Sequence, residues 1–273
     1  MACSIDARGL TYRYPNGHVA LDGVELRVEH GERVAVLGPN GAGKTTLMLH
    51  LNGLLIGEGS LEVAGLPVTR ERLGELRARV GLVFQDPDDQ LFMPSVREDV
   101  AFGPLNMGLG REEALERVDE ALGAVRMARA ADRAPHELSM GERRRVAIAT
   151  VLAMRPRLLV LDEPSANLDP RARRELLDVL EDIEHTMLVV THDLPFAAEL
   201  CERAVVLSGG RIVADAPCDE VLGDDRLLAC HDLELPAGFD LARVDRRPRG
   251  VHAGHDGAAR WSFERRHATS LSI

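Results

Sequence analysis

The stretch from residue 34 to residue 45 constrains this chain more than any other. Val34, Ala35, Val36 and Leu37 form an apolar run of strand length that leads directly into Gly38-Pro39-Asn40-Gly41-Ala42-Gly43-Lys44-Thr45, after which an amphipathic, helix-length segment begins. Strand, glycine-rich turn and helix in that order make a cradle for phosphate. A turn poor in side chains lets backbone N–H groups converge on phosphate oxygens, and the helix N-terminus adds partial positive charge. Lys44 then reaches the β and γ phosphates, and Thr45 would hold a magnesium ion. The set counted as phosphate-contacting is Gly38, Pro39, Asn40, Gly41, Ala42, Gly43, Lys44, Thr45 and Thr46.

Such a loop needs a mainly parallel sheet behind it, and the rest of the chain supplies one. Short β-branched runs at 80–84, 158–161, 187–190 and 204–207 alternate with helix-length stretches at 45–55, 112–125, 142–154, 171–184 and 195–202. A last strand is expected at 211–213, past the turn at Gly209 and Gly210. Between Asp86 and His136 no strand pattern is visible, so this region reads as a mainly helical insertion. Beyond Pro236 aliphatic residues thin out and Arg243, Arg246, Arg247, Arg249, Arg260, Arg265 and Arg266 crowd together, which reads as a loosely ordered basic tail over 236–273. Its arginines suit contact with anionic lipid headgroups. His252, His255 and His267 are too irregularly spaced to suggest a metal site and read as solvated.

Composition narrows the class further. A net charge of -11 in 273 residues weighs against a nucleic-acid partner. The four cysteines show no metal-binding or disulfide-framework spacing, and the simplest compartment is a reduced, cytosolic one. No apolar run approaches the roughly 20 residues that cross a bilayer, so any membrane work is expected from outside the lipid.

A second cluster of chemistry closes the run Leu158-Leu159-Val160-Leu161 with Asp162-Glu163-Pro164. Carboxylates at the end of a parallel strand emerge at the sheet edge where the phosphate loop also lies. There Asp162 would support magnesium through its water shell and Glu163 would polarise the water that attacks the γ phosphate. Alone, these acids would serve equally well as a solvated strand end; the phosphate loop decides for chemistry.

Leu138-Ser139-Met140-Gly141-Glu142 lies just upstream. By itself it reads as a serine-capped helix start, or as a second anion-binding N-terminus. Together with Gln85 at a strand end, Ser165-Ala166-Asn167-Leu168-Asp169 and Thr191-His192-Asp193, it stands in the order found in ATP-binding-cassette (ABC) proteins, and the chain resembles that family over about residues 4–235. Met140 and Glu142 depart from its usual signature, Leu-Ser-Gly-Gly-Gln. The resemblance implies an α/β P-loop NTPase of the ABC-cassette type, with a mainly parallel core sheet, an N-terminal antiparallel β part and a helical subdomain over about 86–154. It implies an ATPase using ATP and Mg2+. Ser139 and Gly141 would face the γ phosphate held by another cassette. Gln85 would sense magnesium and a membrane partner, Asp169 would lie at the dimer seam, and His192 would act as the switch histidine. Lys44, Gln85, Glu163 and His192 are thus the catalytic set, and Thr45, Gln85 and Asp162 the metal set. Tyr12-Arg13-Tyr14-Pro15 matches the segment where the family stacks an aromatic ring on adenine, with Tyr14 preferred over Tyr12.

The stretch 86–106 and the segment His50-Leu51-Asn52-Gly53-Leu54-Leu55 look like energy-coupling-factor importer ATPases, particularly those for cobalt or nickel. That resemblance implies a second ABC subunit, identical or different, a transmembrane coupling protein and a substrate-capture membrane protein. It places the chain peripherally on the cytoplasmic face of the cell membrane. A vitamin such as biotin as cargo, or a non-transport ABC ATPase acting on a macromolecule, are the alternatives. Leu91, Phe92, Met93, Phe102 and Leu105 would fill the helical insertion's core on spacing alone; the resemblance favours a docking groove.

Overall fold

The computed structural model describes residues 3–244. Strands β1 (Cys3–Arg13) and β2 (Val19–Glu29) pair antiparallel, with Ala7 opposite Leu26 and Tyr12 opposite Leu21. β3 (Arg33–Leu37) is buried along its whole length and delivers the chain to α1 (Lys44–Leu51). This helix is shorter than the expected 45–55. Asn52 caps it, and Gly53 turns the chain away at φ +69°. β4 (Glu58–Val63) returns beside β1 and pairs with the two-residue β5 (Leu66–Pro67), which completes the N-terminal antiparallel sheet in the order β2-β1-β4-β5.

A short helix α2 (Leu73–Arg79) then feeds β6 (Val80–Val83), and the chain leaves the sheet for the insertion. Ser95 caps α3 (Val96–Asn106) by accepting from the Glu98 N–H, and α4 (Arg111–Ala124) follows. α5 (Met140–Leu152) brings the chain back to the sheet at β7 (Leu158–Asp162). Gln90 pins the start of the insertion: its carbonyl accepts from the Phe84 N–H, while its amide donates to Ala147 O at 2.9 Å and Thr150 Oγ1 at 2.8 Å on α5. The remaining elements alternate as expected: α6 (Pro170–Asp182), β8 (Thr186–Val190), α7 (Leu194–Leu200), β9 (Arg203–Ser208) and the antiparallel edge strand β10 (Arg211–Pro217). Two short helices close the fold, α8 (Cys218–Gly223) and α9 (Asp225–Cys230).

The main sheet runs β10-β9-β3-β8-β7-β6, with every pair parallel except β10 with β9. Its parallel strands are buried on both faces, so their successive side chains enter different cores, whereas the edge strand β10 is exposed at every second residue. Ala35, Leu37, Leu159, Leu161 and Val189 face the helical side, whereas Val34, Val36, Leu158, Val160 and Val190 face α1 and the antiparallel sheet. The packed chain continues past the boundary expected at 236: Leu235, Phe239, Leu241 and Val244 lie against the helical-side core. Most of the basic-tail reading falls on 245–273, outside the described residues. Among the described residues no helix is long and apolar enough to cross a membrane.

Candidate nucleotide site

Four connections leave the main sheet at the carboxyl ends of adjacent parallel strands. Gly38 follows β3, His192 follows β8, Glu163 follows β7 and Gln85 follows β6, and these strands neighbour one another in that order. Strand order alone therefore gathers groups from distant parts of the chain at one edge, the usual place for a ligand in an open α/β sheet.

The phosphate loop is seated tightly. Gly38 has φ +147°, and a Cβ there would fall 2.0 Å from the Leu207 carbonyl oxygen of β9, so no larger residue fits. Lys44 is buried, and its Nζ donates to Gly38 O at 2.7 Å and Pro39 O at 2.9 Å. Burial pushes its ammonium below the ordinary lysine value, and the charges of Glu163 and Asp162 pull it partly back. The Thr45 side chain is exposed, whereas Thr46 is buried and hydrogen-bonds through Oγ1 with the Tyr14 hydroxyl at 3.0 Å. Tyr14 is thereby fixed beside the first turn of α1. Tyr12 packs edge-on between Tyr14 and His50, with ring centroids 5.0 and 4.9 Å away, and belongs to the wall behind it.

The two acids differ sharply in surroundings. Burial, with the adjacent Glu163 charge in support, pushes the Asp162 carboxyl up to about 6, against the pull of Lys44 and Arg144. Glu163 stands at φ +44°, a left-handed conformation that turns its side chain toward β8. Its Oε2 accepts from Thr191 Oγ1 at 3.0 Å and from the His192 N–H at 3.2 Å, and its Oε1 lies 2.8 Å from His192 Nδ1. Acid and histidine are therefore one hydrogen-bonded unit. Thr191, wholly buried, steers the carboxylate, a role the sequence did not reveal.

The raised value of Asp162 has a sign that can be tested. Folding makes the ionised form unfavourable, so the cost is absent below pH 3.8 and complete once pH passes about 6. Without nucleotide or divalent cation, Asp162→Asn is expected to raise the melting temperature by about 2–5 °C at pH 8 and to leave it unchanged at pH 3.5. Equal melting temperatures at both pH values for variant and parent would show that Asp162 carries no such burden. A hard cation beside Asp162 would remove the same cost. The donors available here, the Thr45 hydroxyl, the Gln85 amide oxygen and the Asp162 carboxylate, are all oxygens, the type magnesium takes.

The signature segment is a capping box. Ser139 Oγ accepts from the Glu142 N–H at 3.3 Å and the Ser139 N–H donates to Glu142 Oε2 at 2.8 Å, which gives the unusual Glu142 a structural task. The hydrogen bond from the Ser139 N–H, with the Ser139 hydroxyl and Arg133 adding to it, holds the Glu142 carboxyl below the ordinary range. The helix opens at Met140, two residues before the expected Glu142, so Gly141 lies inside the first turn. A Cβ on Gly141 would come within 2.7 Å of the Ala172 Cβ on α6, so glycine here sets the closeness of the two helices. Asp169 caps α6 by accepting from the N–H groups of Arg171 and Ala172. Gln85 is exposed at the end of β6.

Behind the acids runs a network the sequence did not announce. Ser165 Oγ donates to Asp193 Oδ2 at 2.8 Å, and Arg173 joins that carboxylate at 3.0 Å to Glu199 at 2.7 Å. Burial pushes Asp193 up, but the hydrogen bonds from Arg173 and the Phe196 N–H outweigh it and hold the carboxyl below the ordinary range. The turn after Glu163 and the turn after His192 are thus tied together.

Comparison with known proteins agrees with this geometry. The family described as ABC transporter matches residues 21–166. A putative ABC transporter ATP-binding protein of Streptomyces avermitilis is 60% identical over 254 residues, 93% of this chain and 94% of the relative. The energy-coupling factor transporter ATP-binding protein EcfA of Methanothermobacter thermautotrophicus is 46% identical over 243 residues, 87% of this chain and 78% of the relative. Among solved structures, cbiO1 from Clostridium perfringens, part of the ABC transporter complex cbiONQ, superposes with a TM-score of 0.76 at 37% identity, covering 86% of this chain and 97% of that one. A glycine-rich loop shaped as a phosphate cradle, an acid set against a histidine, and relatives matched over most of their length lead to one statement: the chain is an ATPase and belongs to the ATP-binding subunits of ABC transporters, similar to those of the energy-coupling-factor type.

Proposed function

We propose that this chain energises a membrane importer of the energy-coupling-factor type, with cobalt or nickel ions as cargo. The observation that carries the coupling to a membrane partner is the apolar surface beyond Gln85. Phe92 is 62% exposed and Phe102 41%, with their rings in an edge contact at 5.1 Å, and Leu105 stands 47% exposed on the same helix α3. Aromatic rings left in water beside a nucleotide-reporting residue suit the apolar face of a coupling helix. The cargo rests on the resemblance of 86–106 and 50–55 to cobalt and nickel importer ATPases, and its selection belongs to the membrane subunits, since the cassette has no need to touch it.

In this reading ATP is bound by the loop 38–46, with adenine against Tyr14, and Lys44 moves its hydrogen bonds from the Gly38 and Pro39 carbonyls to phosphate oxygens. Thr45, Gln85 and Asp162 would hold magnesium, which when bound would neutralise phosphate charge. Glu163 takes a proton from the attacking water, and His192, hydrogen-bonded to it, contacts the γ phosphate. Ser139, the Gly141 N–H and Asp169 complete the site of a second cassette, so nucleotide favours the closed pair over the open one. The complete motif set of one chain permits a homodimer, and the chain attaches peripherally at the cytoplasmic face of the membrane.

The test is copurification and uptake. The wild-type chain is expected to copurify with integral membrane subunits and to support uptake of labelled cobalt or nickel. A Phe92→Asp/Phe102→Asp variant is expected to keep its ATPase activity but lose the membrane subunits. Uptake of biotin or another vitamin instead would move the cargo assignment, and copurification with ribosomes or DNA would overturn the importer reading.

A further inference from the structure

Among the described residues Arg144 is one of the largest fully buried side chains, 1% exposed, and no carboxylate of these residues hydrogen-bonds to it. Its guanidinium points instead at backbone. One terminal nitrogen donates to Phe84 O at 3.1 Å and to Gln85 O, and the other donates to Ala166 O at 3.2 Å. Its Nε–H, also buried, has no hydrogen-bond partner among the described residues. Burying a charge on carbonyl dipoles alone is expensive, and burial does push this guanidinium below the ordinary arginine value. The charges that offset it are Asp86, Asp162 and Glu163.

The three acceptors are not arbitrary. Phe84 and Gln85 form the exit of β6 toward the apolar surface, and Ala166 lies between Glu163 and Asp169. Arg144 itself stands one turn into α5, whose N-cap is Ser139. A hydrophobic residue of equal volume would fill the space at lower electrostatic cost but would tie none of these backbones together.

We propose that Arg144 is a positioning residue for ATP turnover: one buried guanidinium fixes the Gln85 backbone and the Ala166 turn to the helix led by Ser139. A displacement at Gln85 then reaches both the turn behind Glu163 and the signature helix through a shared side chain. The inference rests on the roles given above to Gln85 and Glu163, and it concerns turnover rather than nucleotide affinity, because Arg144 touches no residue of the phosphate loop among its hydrogen-bond partners.

The experiment compares the full-length parent with Arg144→Met, Arg144→Lys and Glu163→Gln, measuring ATP affinity, KM, kcat and the melting temperature. Arg144→Met is expected to lower kcat about 10- to 100-fold, with KM and affinity within about threefold, and to speed amide hydrogen exchange at 85–90 and 165–169 but not in β3 or β8. Arg144→Lys, with one nitrogen for three acceptors, is expected to recover part of kcat. If Arg144→Met does not fold, a kcat for Arg144→Lys equal to that of the parent overturns the proposal. So does a lowered melting temperature with unchanged kcat in folded Arg144→Met. Glu163→Gln is the control: if it retains turnover the assignment of the site fails, whereas its loss beside an unaffected Arg144→Met sinks only this inference.

Discussion

Glu163→Gln is expected to bind ATP as tightly as the parent, to hydrolyse it about 10²- to 10⁴-fold more slowly, and to accumulate as a closed dimer when ATP is added. The substitution is nearly isosteric. The glutamine carbonyl can keep accepting from Thr191 Oγ1 and the His192 N–H, bonds now 3.0 and 3.2 Å long, while its NH2 faces His192 Nδ1 and donates to it in the appropriate tautomer. Local structure therefore survives and only the proton acceptor is lost. Single-turnover hydrolysis and size-exclusion chromatography with ATP check the two halves of the expectation. Normal turnover by this variant would remove Glu163 from its role. A slow enzyme that never dimerises would instead remove the split-site mechanism.

Lys44→Ala is expected to weaken ATP binding roughly 10- to 100-fold, the worth of charge-assisted hydrogen bonds to phosphate. Its effect extends to the loop itself, since Nζ also holds the carbonyls of Gly38 and Pro39. A thermal melt taken with the binding titration separates the two contributions: loss of affinity without loss of the fold belongs to the phosphates. Unchanged affinity would contradict the assignment of the phosphate loop. The two variants fail differently, one before closure and one after it.

The residues that were legible in the sequence are those whose position follows from the backbone. Asp162, Glu163 and His192 stand at or just past the end of an apolar strand and Lys44 opens the helix after the loop that leaves β3, and a parallel sheet collects such strand exits at one edge whatever lies between them. The antiparallel sheet was not legible from periodicity. β1 shifts register between Ala7 and Leu10 and again between Leu10 and Tyr12, and each shift interrupts the alternation that marks a half-buried strand. The end of α1 at Leu51 is masked in the sequence because Leu54, Leu55 and Ile56 prolong the apolar run, although Leu54 is 50% and Ile56 41% exposed. Arg144 was hidden in plain view within Arg143-Arg144-Arg145, just ahead of Val146-Ala147-Ile148-Ala149. A cationic run entering an apolar helix is a signal, but Arg144 and Arg145 both turn inward, and only tertiary packing decides that Arg145 meets the Glu175 carboxylate while Arg144 meets backbone carbonyls.

The left-handed backbone at Glu163 has a consequence for how this protein tolerates change. A residue with a Cβ held at φ +44° stores conformational strain that glycine would not. Glu163→Gly would relieve that strain but would also give up the hydrogen bonds to Thr191 and His192, at the position to which the attacking-water role is assigned. The carboxylate's own hydrogen bonds thus hold the chain in a backbone shape it would otherwise avoid, and durability at position 163 depends on the same contacts that orient the acid.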